Sequence, residues 1–432
     1  MTTLDATIAA ARARVAAAAP GPVVFLGSER AFWRLMIRGA VFLAVTLGIY
    51  RFWLTTDMRR FLWSNTEVLG ETLEYTGTAR ELLIGFLIAV AILIPFYTFI
   101  FALALNLGLI GQLASVIGFA LLTVLGQYAV YRARRYRLTR TIYRGVRFHQ
   151  TGSAWRYAIC AMLWWTLVAV SLGLLYPLMQ SRLERFKMRN TWLGNLQGRF
   201  EGSGARLFFR GLFMWLVVVG PLLASIIALA ANIDVKALEQ IGRGDAGGEE
   251  MIRQLTAASP ALTAAFGFFV FALVWSMLIA FILYPVFQAM MLRWWVSGLR
   301  FGEVVVASRL RTGKVYGCYL RFVGWSMVFS TIGGIVIAIC VVIISLIFGL
   351  GGSERPLSAE IVSVAVGIVG YLVIALGYST IYQVKVRLGL WRVVVESIDL
   401  ANTPALENVS SVGAPASPIG EGLADALNVG GF

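Results

Sequence analysis

Six long apolar stretches dominate the sequence, each about 20 residues or longer and nearly free of charge. A helix of that length crosses the hydrocarbon core of a bilayer, where the backbone must satisfy its own hydrogen bonds. Overall, 59% of the residues are hydrophobic and only 14% are charged, which is too few for a soluble domain. The sequence therefore predicts an all-α polytopic membrane protein with six certain spanning helices. The stretches are 82–105, 109–130, 207–231, 261–292, 317–350 and 361–384.

Two further apolar segments are doubtful, because each either spans the membrane or re-enters it from one face. Residues 39–50 supply about a dozen uncharged residues, which is short for a crossing. Residues 157–180 are long enough to cross, although Gly173 and Pro177 interrupt them near their end. The distribution of basic residues distinguishes these cases, since cytoplasmic loops of inner-membrane proteins are rich in Lys and Arg.

Eight crossings would divide the 37 Lys and Arg residues 21 to 16 between the two faces. Six crossings, with both doubtful segments re-entrant, place 33 of the 37 on the face that carries both termini. We therefore favour six crossings in a bacterial cytoplasmic (inner) membrane. The four polar segments that resemble one another would then all lie on the cytoplasmic face. This bias also explains the net charge of +15, so nucleic acid is not an expected partner.

The polar segments resemble one another at fixed spacings. Residues 59–77 and 184–202 match without a gap at an offset of 125. Residues 293–301 resemble 140–148 at an offset of 153, and the additional 28 residues equal the length of the insert 232–259. A match that survives over such distances predicts an internal duplication.

The duplication sets the predicted organisation of the chain. Alternating residues such as Val146 and Phe148 against Arg147 and His149 predict short β-strands in the basic polar segments, which could pair into a small sheet. The C-terminal residues are rich in Ala, Gly, Ser, Asn and Pro, a composition typical of disordered chains. The predicted regions are an N-terminal tail (1–30), membrane repeat 1 (31–155), membrane repeat 2 (156–308), two C-terminal membrane helices (309–400) and a disordered tail (401–432).

Several motifs together resemble the YjgN family of uncharacterised bacterial inner-membrane proteins. They are TLGIY at 46–50, an Arg-Arg-aromatic run followed by Asn-Thr within 59–66, YRARRYRLTRT at 131–141 and RGVRF at 144–148. The resemblance covers residues from about 25 to about 400. It implies a membrane location and supplies no catalytic or binding residues, and the insert and extended tails depart from the family pattern.

Catalytic motifs are missing from the sequence. There is no Gly-x-Ser-x-Gly, no Walker-type loop and no His-Glu-x-x-His, and the chain has one histidine. Its three cysteines lie in separate apolar stretches, too far apart to form a ligand cluster. We therefore predict no catalytic residues, no metal site and no cofactor, and we do not expect an enzyme.

Two sets of polar residues are candidate binding groups. The first set is basic and recurs in both repeats, so it could hold anionic phospholipid headgroups; alternatively it only fixes the topology, which positive-inside bias alone would explain. The second set could line a polar pathway, although such groups in membrane helices more often bond to a neighbouring helix. The candidate headgroup residues are Arg134, Arg135, Arg140, Arg144, Arg147, Arg185 and Arg189, and the candidate pathway residues are Gln127, Gln288 and Gln383.

Two functions of different classes follow from these candidates. A pseudo-repeated bundle is a common transporter architecture, which favours a transporter or channel-like bundle. No Asp or Glu lies deep in a predicted span, so the solute is expected to be non-protonic. The alternative is a membrane scaffold that binds anionic lipid or organises partners. Membrane lipids are the expected partners in either case, and the sequence identifies no protein partner.

The charge count leads to a topology test. Reporter fusions at Asn65, Thr151, Asn195 and Arg300 should all report the cytoplasm, and a fusion within 245–249 should report the periplasm. Opposite locations for Asn65 and Asn195 would instead establish eight crossings.

Overall fold

The structure, a computed structural model, describes residues 23–106, 108–232, 260–348, 357–406, 409–410 and 425. Most of the predicted insert and of both predicted tails therefore lies outside the described residues. The helices are α1 (Glu29–Val45), α2 (Arg51–Ser64), α3 (Ala79–Asn106), α4 (Gly108–Thr139), α5 (Ala154–Val170), α6 (Tyr176–Arg189), α7 (Gly204–Asn232), α8 (Pro260–Gly298), α9 (Thr312–Phe348), α10 (Leu357–Tyr382), a π-helix (Gln383–Leu388) and α11 (Gly389–Val395).

The strands are short and form two antiparallel sheets. A three-stranded sheet has the order β1-β2-β3, and an eight-stranded sheet runs β11-β10-β9-β8-β7-β6-β5-β4. The strands are β1 (Val23–Phe25), β2 (Thr66–Val68), β3 (Glu71–Thr72), β4 (Glu74–Tyr75), β5 (Thr141–Tyr143), β6 (Val146–Gln150), β7 (Thr191–Leu193), β8 (Leu196–Phe200), β9 (Leu299–Phe301), β10 (Val304–Ser308) and β11 (Ile398–Ala401).

Six of the described helices are long and apolar enough to cross a membrane, as predicted. Very few of their residues are buried within the protein. Large apolar side chains such as Val116, Phe281 and Leu346 are exposed, which suits a surface that faces lipid. The all-α polytopic class and the short strands are confirmed.

Both doubtful segments are helical hairpins. The α1–α2 hairpin turns at Leu47 (φ 50°) and Gly48 (φ 93°), and the α5–α6 hairpin turns at Leu172 (φ 49°) and Gly173 (φ 88°). In each turn the leucine comes first and the glycine follows it, and glycine adopts this left-handed backbone without strain. The strands that flank each hairpin pair with each other, β1 with β2 and β6 with β7. A hairpin whose two ends are joined in one sheet begins and ends at the same side, which supports the re-entrant interpretation.

The eight-stranded sheet brings the four basic polar segments together. Strands β4, β5–β6, β7–β8 and β9–β10 each come from a different polar segment, and they are hydrogen-bonded side by side. The buried core on this sheet includes Tyr143, Leu193 and Val304. Because one hydrogen-bonded sheet cannot lie on both sides of a bilayer, these segments share one face.

Contacts divide the chain into two compact units. The first is built from described residues of Met1–Met162, Glu184–Gly202 and Leu292–Phe432, and it contains both sheets. The second draws on Leu163–Leu183 and Ser203–Met291. Within the second unit, the indole nitrogens and hydroxyls of the helices donate to carbonyls of neighbouring helices, the usual way in which buried polar groups are satisfied in a membrane. Examples are Trp215 Nε1 to Leu172 O (2.9 Å) and Ser276 Oγ to Val218 O (2.6 Å).

Each predicted tail adjoins the rest of the chain through residues that form defined elements. Val23 and Phe25, assigned to the N-terminal tail, are buried because β1 pairs with β2, and α1 begins at Glu29. Ala401 belongs to β11, and a 3₁₀ helix, Thr403–Leu406, follows it. The boundaries at 30 and 401 therefore fall inside defined elements.

Local contacts recur at the 125-residue offset. Asn65 Nδ2 donates to Phe61 O at 2.7 Å, and Asn190 Nδ2 donates to Phe186 O at 2.7 Å. Each asparagine is the residue after the last turn of a hairpin's second helix, where carbonyls lack helical partners. These matched contacts support the duplication, and superposition of the complete halves stays a prediction.

The matched asparagines should stabilise the protein by similar amounts. Asn65→Ala and Asn190→Ala each remove one side-chain hydrogen bond to a helix-terminal carbonyl, so each should lower the free energy of unfolding by about 1 kcal/mol. Unfolding of the purified protein in mixed micelles measures both. A large loss in one variant with none in the other would show that the two sites are not equivalent.

Candidate functional site

A polar cavity of about 160 Å³ lies in the first compact unit, between the α1–α2 hairpin and the end of α10 with its π-helix. Its lining combines three arginines with hydroxyl, amide and apolar groups. No described lining residue is Asp or Glu. The lining residues are Met36, Leu43, Arg51, Leu54, Thr55, Met58, Arg59, Ser379, Gln383 and Arg387.

The π-helix positions two of the lining residues. Gln383 and Arg387 are four residues apart, and Arg387 Nη1 donates to Gln383 Oε1 at 3.1 Å. Lys385 lies between them in sequence, but it forms an ion pair with Glu29 and its Nζ lies 4.7 Å from the centre of the Trp325 ring. Lys385 therefore anchors the π-helix, whereas Arg387 lines the cavity. A π-helix is rare and occurs often at functional sites.

Arg59 is the most buried of the three arginines, with 2% of its area exposed. Its guanidinium forms a two-pronged ion pair with the carboxylate of Asp425 (Nη2 to Oδ1 3.1 Å), and Nη1 donates to the Tyr75 hydroxyl at 3.0 Å. A second arginine, Arg137, lies 3.6 Å from the same carboxylate. Burial alone would lower the pKa of Arg59, but the charge of Asp425 outweighs it and the pKa is raised. Arg59 is therefore held in its charged form.

Arg51 completes the cationic lining. It is the first residue of α2, directly after the hairpin turn, and it is exposed. Its guanidinium lies 5.0 Å from the Phe52 ring centre and 5.1 Å from that of Phe86, within the range of cation–π attraction. Three arginines thus line one small cavity, and arginine is a residue that recognises carboxylate or phosphate groups.

The arginines predicted to bind lipid headgroups do not converge on one site. Arg134 Nη2 lies 3.3 Å from Met188 Sδ, and its Nη1 has no hydrogen-bond partner among the described residues. Arg135 donates to a backbone carbonyl in the loop before α5. Arg140 pairs with Glu81 at 2.9 Å. Each of these three side chains thus contacts a different group of the protein.

The other predicted headgroup residues divide into two kinds. Three of them donate to backbone carbonyls, one in a turn, one at a helix end and one in a loop. Arg189 is exposed at the end of α6. The carbonyl acceptors are Leu69 for Arg144 (3.4 Å), Thr139 for Arg147 and Gly202 for Arg185 (3.3 Å). The geometry therefore gives most of these arginines a structural contact within the protein.

The three glutamines predicted to line a pathway are separated. Gln383 lines the arginine cavity. Gln127 lies in α4 and Gln288 in α8, and neither is among the residues that line this cavity. Gln288 belongs to the second compact unit.

Arg51, Arg59, Arg387 and Asp425 were not singled out from the sequence. One signal was available for Arg59: the position that matches it at the 125-residue offset is Glu184, a reversal of charge within an otherwise similar segment. No pattern pointed to Asp425, because it lies in a segment of tail-like composition.

Comparison with known proteins identifies a family but no activity. A family model described as a bacterial protein of unknown function (DUF898) matches residues 20–426. No curated protein and no solved structure matches the chain.

The contacts of the basic residues lead to a test of headgroup binding. Arg147→Gln removes a charged hydrogen bond to the last carbonyl of α4, so it should lower the free energy of unfolding by about 2 kcal/mol. Arg34→Gln is the matched control, because that side chain is exposed and is not among the predicted headgroup residues. Thermal melts and native mass spectrometry of the purified variants measure stability and bound phospholipid. Lost phospholipid with an unchanged melt for Arg147→Gln would establish a headgroup site.

Proposed function

Because the chain belongs to the DUF898 family of bacterial proteins of unknown function, which supplies no activity, we propose a function from its own cavity. We propose that it is a non-enzymatic transporter or channel-like bundle for a small, anionic, non-protonic solute. Arg51, Arg59 and Arg387 would bind that solute. The observation that carries the proposal is that three arginines line one cavity, with no carboxylate among its described lining residues.

The charge of the lining favours an anion. Each guanidinium carries a positive charge, and its fork of N–H donors matches the oxygens of carboxylate or phosphate. The hydroxyls of Thr55 and Ser379 and the amide of Gln383 add neutral polar groups to the same lining. The positive charges of the three arginines repel a cation there. No carboxylate is among the described lining residues, which argues against a proton or cation relay of the usual kind.

The size of the cavity limits the solute. A volume of about 160 Å³ corresponds to roughly five water molecules. This space suits a phosphate-sized or acetate-sized anion with some of its water. A phospholipid molecule would fit only by its headgroup.

The surrounding backbone favours translocation rather than static binding. Transporters commonly bind substrate where a membrane helix is broken, because the break frees polar groups and permits movement. Here the cavity lies between a re-entrant hairpin and a six-residue π-helix, Gln383–Leu388. The proposed duplication, supported by the matched asparagine contacts, is a further feature of many transporters.

The location and orientation are part of the proposal. We place the protein in the bacterial inner membrane with the eight-stranded sheet on the cytoplasmic side, because the sheet contains the basic polar segments. The resemblance to the YjgN family agrees with this location. The alternative, an anionic-lipid or partner scaffold, has support in the exposed Arg189, whereas the other predicted headgroup arginines contact the protein.

Uptake into proteoliposomes tests the proposal. The purified protein is reconstituted in phosphatidylethanolamine and phosphatidylglycerol, and uptake of radiolabelled phosphate and acetate is measured. We expect saturable uptake of at least one anion, reduced about tenfold or more by Arg387→Gln, because a charged hydrogen bond to the solute is lost. Arg34→Gln, at an exposed position of α1, is the control and should retain uptake. Absence of uptake by the folded wild-type protein, or equal loss in both variants, would contradict the proposal.

A further inference from the structure

The side chain of Asp425 is completely buried, although it lies 366 residues from Arg59 in the sequence. Both of its carboxylate oxygens face guanidinium groups, those of Arg59 and Arg137. Asp425 is thus the anion that compensates two buried arginine charges, one of which is almost fully enclosed. A buried charge without its partner is strongly unfavourable, so this site requires an anion.

The receiving groups belong to elements that do not include the C-terminal segment. Arg59 lies in α2, Arg137 in α4 and Tyr75 in β4. The Tyr75 ring packs 5.7 Å from the Trp63 ring and 5.8 Å from the Arg59 guanidinium. These contacts hold the phenol and the Arg59 guanidinium next to each other. The groups that receive the carboxylate therefore all come from α2, α4 and β4, and their chemistry is that of a receptor for a single carboxylate.

We propose that Arg59, Arg137 and Tyr75 form a carboxylate-binding site, which Asp425 of the chain's own C-terminal segment occupies and which a small free carboxylate can occupy in its place. Occupation by Asp425 ties that residue to α2 and α4. The ligand class is a monocarboxylate, because both oxygens of one carboxylate are accommodated and the site is closed to water.

The carboxylate-binding site and the arginine cavity share Arg59. Asp425 engages both terminal nitrogens of that guanidinium, while Arg59 also lines the cavity. If the cavity binds an anion as proposed above, that anion and Asp425 draw on the same positive charge. This consequence rests on the proposed function: binding in the cavity weakens the hold on Asp425, and removal of Asp425 strengthens anion binding in the cavity.

Chemical rescue tests the carboxylate-binding site. In the purified protein, Asp425→Ala should lower the melting temperature by roughly 5 °C or more, because the buried Arg59 guanidinium loses the carboxylate paired with it. Sodium acetate should restore the melting temperature in a saturable manner, and sodium chloride at equal ionic strength should not. Asp399→Ala is the matched control, since Asp399 pairs with the exposed Arg309 and acetate should leave it unchanged.

Further variants keep the outcome decisive. Asp425→Asn fills the site without charge, so it should melt below the wild type and show no rescue by acetate. It is the variant measured if Asp425→Ala does not fold. Adding Arg59→Gln to Asp425→Ala should abolish rescue. Melting of Asp425→Asn at the wild-type temperature, or rescue of Asp425→Ala by chloride as well as by acetate, would overturn the site.

The two proposals fail in different ways. Acetate rescue without any anion uptake would leave the carboxylate-binding site standing and remove the transport proposal. Uptake without rescue would do the reverse. Their linkage is measured by phosphate uptake at low concentration, which should be faster with Asp425→Ala than with Asp399→Ala. Equal rates would overturn the sharing of Arg59.

Discussion

Strand pairing at one face of the membrane is the constraint on which the rest of the structure depends. In hydrocarbon, each backbone group must be bonded within its own helix, so strands and turns must collect where protein or water can satisfy them. The described chain does this by closing its helical hairpins with paired antiparallel strands: β4 with β5 around α3–α4, β6 with β7 around α5–α6, and β10 with β11 around α9–α11. Each helical hairpin therefore begins and ends on the same side of the membrane, whether its helices cross the membrane or only enter it.

The same arrangement explains why the polar segments are rich in arginine. Helix ends leave carbonyls without helical partners, and a guanidinium can reach them while its charge stays near the headgroups. Arg147 reaches the last carbonyl of α4, and Arg185 reaches Gly202 in the loop before α7. Basic residues that bias the topology thus also satisfy backbone carbonyls at a helix end and in a loop. These contacts give such arginines a structural role besides the lipid site that the sequence suggested.

Length and periodicity made the membrane helices and strands predictable, whereas the cavity depends on distant parts of the chain. The stretch 157–180 is apolar over a length that could cross a membrane, and Gly173 and Pro177 were its only signals of a break. The left-handed backbone at Leu172 and Gly173 divides it into two helices. The charge count nevertheless indicated that it does not cross. Arg51 and Arg387 line the same cavity although 336 positions separate them in the sequence, and no local sequence pattern predicts this. Gln383 was identified by its place at a helix end, although its neighbours in the cavity were not.

Positions related by the 125-residue offset bury opposite charges, and this difference sets the two halves apart. Glu184 is satisfied locally: Lys187, one turn away, pairs with it, and Trp295 Nε1 donates to it at 3.1 Å. Burial would raise the pKa of Glu184, but Lys187 and Arg134 outweigh this and lower it.

Arg59 has no such neighbour in its own helix turn. Its counter-charge comes from Asp425, which also pairs with Arg137 of α4. Thus α4 presents Arg134 toward one buried carboxylate and Arg137 toward the other. In the half that contains Glu184, the counter-charge of the buried residue comes from the next turn of the same helix. In the half that contains Arg59, the counter-charge comes from Asp425, and Arg59 also lines the arginine cavity.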